Sequence, residues 1–485
     1  MNFSRRNFSK IIGVGALASF AGPLFSTTAL GKPSRISSKK QIKRGLYLIK
    51  NAAIITVDPD IGTLPNADIL IRNGIIERVG QNLTEKDADI IDATNMIVMP
   101  GFVNSHYHMW SAIGRSFTAR KEGFSYYPAK FATSALYTPT DFYNSVMLAS
   151  VELVNGGTTT VHNWSHNTRS PEHADAELQA LENSHMRARY SYGHVDRLGP
   201  DKVNPYNDID RVQSQWFGRN DKFEGMVHLG LNLRGTLQSD KATFYKEMEY
   251  AKRVGLPVAI HAPQETPNTA DAVEYERRGY LGPDFLIAHY ISASNDDLAA
   301  MARTKTPITI ATHSELRLSS TGDARAVIMK MREAGLCISL SSDATSIAPP
   351  DMFEMMRFTW NLGVPWVGTE NSGASKISVH EVIQMATLNG AIALGLGDMV
   401  GSISEGKRAD IIMLRSNDLN IAPVSNFETA VVQSATANNV DTVIVDGKIV
   451  KRGGRLIGYD ETRIINDAQN SARRIRAAAG ELLES

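Results

Sequence analysis

The sequence predicts an α/β protein: a (β/α)8 barrel with a small β-sandwich built from the two flanks of the chain. Three observations carry this. Eight short apolar runs alternate with helical stretches between residues 97 and 341. β-patterned segments lie on either side of that rhythm, at 45–97 and 405–460. Several of the eight runs end in a histidine or an aspartate, and barrel active sites are built at the carboxyl ends of the strands.

The chain opens on Ser4-Arg5-Arg6-Asn7-Phe8-Ser9-Lys10, an apolar run from Ile11 to about Phe25, and Ala29-Leu30-Gly31. This resembles a twin-arginine export signal over 1–31, implying the Tat translocase as a transient partner and the periplasm or the medium as destination. Gly13, Gly15, Gly22 and Pro23 interrupt the run, so it makes a poor membrane anchor. Residues 32–44 are basic and Ser-rich and read as a linker.

From Gly45 the pattern is short β-runs separated by turn signals: Leu46–Ile49, Ala53–Val57, Ile69–Ile71 and Ile75–Ile76, with Asn73-Gly74 as a hairpin turn. The barrel rhythm follows over 98–404. Its predicted strands are Ile97–Asn104, Thr158–His162, Ala188–Gly193, Met226–Leu231, Pro257–His261, Phe285–His289, Ile308–Ala311 and Cys337–Ser341. Helical stretches such as Ser170–Asn183, Lys241–Val254 and Asp323–Ala334 separate them. The runs Gly406–Leu414 and Thr442–Val450 return to β-patterning and complete the small sheet unit. The tail, 461–485, is charged and Ala-rich and reads as a peripheral helix.

Composition excludes several classes. Lys plus Arg and Asp plus Glu number 51 each, so no basic field attracts nucleic acid. Removal of the export segment would take away Arg5, Arg6 and Lys10 and no acid, leaving the remainder slightly acidic. Cys337 is the only cysteine, so a metal here must be held by histidine and carboxylate.

The first barrel run ends in His106-Tyr107-His108. Residues i and i+2 of a strand share a side, so both imidazoles can reach one point, half of a tetrahedral zinc site. The fifth run ends in His261, the sixth in His289, and the eighth is followed by Asp343. His162, Trp164 and His166 follow the second run, His194 and Asp196 the third, Arg234 the fourth and His313 the seventh. These are candidate substrate contacts on the same rim. The segment from Trp110 to Tyr143 is rich in aromatics, among them Phe117, Phe124, Tyr126 and Phe131. It reads as a cover over a flat substrate or as a contact between copies in a homo-oligomer.

The run Pro100-Gly101-Phe102-Val103-Asn104-Ser105-His106-Tyr107-His108 is similar to the first-strand motif of the amidohydrolase superfamily, in its cytosine deaminase and chlorohydrolase-like branch. Gly156-Gly157-Thr158-Thr159-Thr160-Val161 resembles its second-strand entry. Gly401 to Asp410 resembles the segment re-entering the small sheet. The resemblance spans roughly residues 45–455. It implies one divalent metal held by His106, His108, His261 and Asp343, with Zn²⁺ first and Fe²⁺ second. Two-metal relatives place a lysine at the end of strand four; Met226 to Arg234 has none. The resemblance makes Asp343 the proton carrier and sets His289 over the attacking water, with a supporting brace as the alternative role for His289.

One departure concerns the reaction. Ring deaminases of this branch place a glutamate three residues after the strand-five histidine, whereas here His261-Ala262-Pro263-Gln264 is followed by Glu265. Gln264 can hydrogen-bond substrate but cannot shuttle a proton, so either Glu265 takes that place at the substrate through a local shift or the reaction does not need that acid. The sequence therefore puts hydrolysis of a cyclic amide, lactam or urea-like small molecule first. Deamination or dechlorination of a nitrogen heterocycle comes second, and a non-catalytic scaffold is the reading from a different class.

Overall fold

The computed structural model describes residues 42–120, 126–218, 221–262, 271–318, 324–363 and 377–483. The expected export signal, nearly all of the expected linker, Phe124, Gln264 and Glu265 lie outside these residues. Eight parallel strands pair in chain order: β1 (Phe102–Tyr107), β2 (Thr158–Ser165), β3 (Arg187–Gly193), β4 (Val227–Leu233), β5 (Val258–His261), β6 (Phe285–Ala288), β7 (Ile308–Ile310) and β8 (Ile338–Leu340). Nearly every residue in them is buried, which is why they read as apolar runs rather than as alternation.

A seam between β1 and β8 closes the ring. Tyr107 bridges Asp343 in parallel register. The His108 amide donates to Asp343 O at 2.8 Å and the Asp343 amide to His106 O at 3.0 Å. Beneath, Asn104 Nδ2 donates to Ser342 Oγ at 2.7 Å and Ser105 Oγ to Leu340 O at 2.8 Å.

The run read as one strand over Ile97–Asn104 divides at Gly101. Met96–Pro100 pairs antiparallel with Ile411–Arg415 in the flanking sheet, and the barrel begins at Phe102. A side chain at Gly101 would lie 2.2 Å from the Thr159 side chain, so only glycine lets the chain pass between the two sheets here.

The flanking β domain is one nine-stranded hydrogen-bonded network assembled from Leu46–Pro100 and Ile411–Leu456. Asn73 and Gly74, both at positive φ (52° and 85°), make its predicted hairpin turn. The domain has its own apolar cluster, including Ile54, Ile69, Val98, Ile411 and Ile444. It is tied to the barrel by buried charge. Arg187, at the start of β3, donates from Nε to Asp410 Oδ2 (2.9 Å) and from one terminal nitrogen to Asp410 Oδ1 and Asp446 Oδ1 (3.1 Å each). Arg408 and Arg44 also pair with Asp446.

The C-terminal helix, Glu461–Ala479, packs Ile475 and Ala479 against Trp110, Ile113, Phe117 and Phe142, the segment following β1. That segment carries a short helix, Tyr126–Thr133, and a longer one, Pro139–Asn155. The longer helix starts on a Thr138/Asp141 capping box with Pro139 in its first turn. Among the described residues, no helix is long and apolar enough to cross a membrane.

Candidate active site

Five side chains from four strand ends converge on one point. His106 lies on β1 and His108 one residue past it; His261 ends β5; His289 and Asp343 follow β6 and β8. Nε2 of His106 and of His108 lie 3.3 and 3.2 Å from Asp343 Oδ1. His289 Nε2 stands 3.9 Å from Asp343 Oδ2. The His261 ring lies 4.9 Å from that of His106 and 5.6 Å from that of His289. Donor atoms of His106, His108 and Asp343 fall within 4.8 Å of one another, as do those of His106, His261 and His289. His289 and Asp343 sit at φ 74° and 58°, a left-handed conformation that non-glycine residues hold only under constraint and that collects at functional sites.

The protonation states suit a cation. Burial lowers His106, to about 3, and lowers His108 and His261 as well. Burial alone would raise Asp343, but hydrogen bonds from His106 and His108 more than offset it and keep the carboxyl well below its ordinary range. Neutral imidazoles beside one carboxylate are what a divalent ion needs. The Nδ1 atoms of His106 and His108 have no hydrogen-bond partner among the described residues, so neither ring is taken up by bracing the fold. The donor set thus fits one divalent metal, with His289 near enough to serve beside it.

The turn after β7 supplies two groups that the strand ends alone do not reveal. Ser314 Oγ donates to Asp343 Oδ2 at 2.7 Å. Glu315, fully buried, holds His289 Nδ1 at 2.9 Å and accepts the Ala311 amide at 3.0 Å. Burial pushes His289 toward its neutral form, but the charge and hydrogen bond of Glu315, with Asp343 behind, raise its proton affinity overall. Glu315→Gln removes that charge, so the alkaline limb of the kcat profile should move to lower pH. We expect kcat near neutrality to fall about tenfold while KM changes little. An unmoved limb would leave Glu315 with a packing role only.

The structure corrects three expected substrate contacts. His162 has both ring nitrogens committed inside the barrel, to Ser105 O (2.9 Å) and Ser191 Oγ (2.8 Å). Arg234 donates to the carbonyls of Leu198, Gly199 and Lys202, bracing the loop after β3. His313, one residue from Ser314 on the helix Thr312–Leu318, turns the other way, since successive helical side chains diverge by about 100°. It stacks on Phe358 and faces Glu354 at 3.0 Å. Trp164 is buried against His106 and His261, with ring centroids 4.4 and 4.2 Å away, and floors the cluster.

His166 and His194 do reach the rim. The His166 ring lies 4.5 Å from that of His108 and 6.0 Å from that of His194. Trp110 Nε1 donates to His166 Nδ1 at 3.1 Å, which leaves Nε2 to face Asp196 Oδ1 at 3.4 Å. Lys130 Nζ pairs with the same Asp196 oxygen at 3.0 Å. Lys130 carries no motif, and only the fold brings it here.

The chain is similar to several known proteins. A 5′-deoxyadenosine deaminase of Methanosarcina barkeri is 28% identical over 440 residues, covering 88% of this chain and 98% of its own. A 5-methylthioadenosine/S-adenosylhomocysteine deaminase of Syntrophomonas wolfei is 26% identical over 442 residues, covering 88% and 99%. Among solved structures, a zinc-bound adenosine deaminase of Xanthomonas campestris matches 90% of this chain and 100% of its own, with TM-score 0.76 and 21% identity. A zinc complex of an atrazine chlorohydrolase of Arthrobacter aurescens matches 88% and 100%, with TM-score 0.75 and 18% identity. These two show a shared fold. The model of the amidohydrolase family matches residues 97–450, from the strand before the Gly101 crossing to the return into the flanking sheet, and the chain belongs to that family.

Proposed function

We propose that this enzyme, a hydrolase of C–N bonds, deaminates an amino-substituted nitrogen heterocycle, with a purine nucleoside as the first candidate. The observation that carries this is the convergence of His106, His108, His261, His289 and Asp343 on one buried point. Support comes from family membership and from relatives that are adenosine-type deaminases over nearly their whole length. This moves deamination ahead of the cyclic-amide hydrolysis that Gln264 suggested.

His106, His108, His261 and Asp343 would hold the metal, Zn²⁺ before Fe²⁺. When bound, it supplies Lewis acidity that lets water ionise at about pH 7. Asp343, held ionised, takes the proton of the attacking water at Oδ2, where Ser314 Oγ fixes its orientation. His289 Nε2 faces the same oxygen and steadies the oxygen that adds to the ring carbon. Asp343 passes that proton to the ring nitrogen as the oxygen adds, then takes the proton of the added hydroxyl and delivers it to the departing amine. The C–N bond breaks, ammonia leaves, and the ring carbon keeps a carbonyl. With Gln264 unable to carry protons, Asp343 and His289 take that work between them. The pair Arg5-Arg6 and the apolar run after it support export by the twin-arginine route.

Purified protein assayed with adenosine-type nucleosides should contain about one equivalent of metal and release ammonia. Chelation should abolish turnover and Zn²⁺ should restore it. Protein without metal that shows no metal-dependent ammonia release from any amino-heterocycle would overturn the reading.

A further inference from the structure

Asp196 has one occupied oxygen and one that is not. Its side chain is 5% exposed. Oδ1 takes both Lys130 Nζ and the face of His166 Nε2, whereas Oδ2 is buried with no hydrogen-bond partner among the described residues. A buried carboxylate oxygen left unpaired is costly, and in a native structure it calls for an explanation. The surroundings point to a ligand. The His166 ring lies against both Asp196 and His108 of the cluster. Lys130 Nζ has three protons and one carboxylate partner here. On the outer side the ring of Phe131, 39% exposed, carries Arg197 4.5 Å above it, an open flat edge beside a polar floor.

We infer that Asp196 Oδ2 and Lys130 Nζ form a subsite for the hydroxyl groups of a neutral sugar-like portion of the substrate. The inference rests on the deaminase reading above. The charges select this class. An anionic group would face the unpaired carboxylate oxygen, and a cationic one would face the ammonium. A hydroxyl suits both, donating to Oδ2 and accepting from Nζ, and neighbouring hydroxyls can use the two together. The polar pair therefore favours a nucleoside over a free base, with the ring at the His/Asp cluster and the sugar at Asp196.

The test is calorimetric binding of adenosine, 2′,3′-dideoxyadenosine and 9-methyladenine to the metal-loaded enzyme and to Asp196→Ala, with ammonia release followed in parallel. We expect the wild type to bind adenosine about tenfold more tightly than the dideoxy compound, the scale of one hydrogen bond to a charged group. Asp196→Ala should erase that difference and leave dideoxyadenosine binding unchanged, which also shows that the variant is folded. Equal affinities in the wild type, equal weakening of all three ligands by Asp196→Ala, or no binding of any of them overturns the subsite. The binding pattern without ammonia release would sink the deaminase reading and keep the subsite. Ammonia released alike from all three would do the reverse.

Discussion

Asp343→Asn should lower kcat by about 10²–10⁴-fold, the usual contribution of a positioned proton carrier, while leaving the fold and most of the metal in place. The argument is the division of labour on one carboxylate. Oδ1 faces His106 and His108, and Oδ2 faces His289 and receives the Ser314 hydroxyl. Asparagine has nearly the same shape, and three imidazoles remain to hold the ion. What it lacks is a site for the proton of the attacking water, so rate should suffer far more than metal content or KM. Metal analysis and steady-state kinetics on one preparation check this. Near-normal kcat would remove Asp343 from proton transfer.

Arg187→Met should cost about 3–5 kcal/mol of stability, because it strips the countercharge from buried Asp410 and removes one of three from buried Asp446. Arg187, Asp410 and Asp446 are each 3% exposed or less, and Asp446 also accepts charge from Arg408 and Arg44. Without Arg187, the Asp410 carboxylate keeps only the Asp446 amide, at 2.8 Å, among the described residues. Lysine would not repair the loss, since it cannot form the forked contact. Arg187 opens β3, whereas the reacting groups follow the ends of their strands, so molecules that do fold should retain wild-type KM. Urea unfolding measures the difference. A change below about 1 kcal/mol, the scale of an exposed ion pair, would show that this cluster does not hold the two domains together.

The strand ends were the legible part of this site. Apolar runs between turn signals mark where strands stop, and a barrel sets those stops on one rim, so His106, His108, His261, His289 and Asp343 could be named without coordinates. Which rim residues are free could not be read the same way. His162 and Arg234 look like site residues because of their chemistry, yet backbone carbonyls and Ser191 consume their donors. Such partners leave no trace in local sequence. Its position after the seventh run sets His313 on the rim, yet the helix Thr312–Leu318 turns it toward Glu354 while Glu315 faces His289. The fusion of two strands across Gly101 has a similar cause. Both halves are apolar, and only the closeness of Thr159 shows where one sheet hands over to the other.

The seam between β1 and β8 has a consequence for how the protein matures. His106 and Asp343 stand 237 residues apart in the chain and become neighbours only when the last strand docks. The same backbone links that fasten the ring, His108 to Asp343 and Asp343 to His106, hold three of the donors. The centre therefore behaves as a clasp. An ion held by this donor set would need β1 and β8 docked, and would fasten the same seam that the backbone links close.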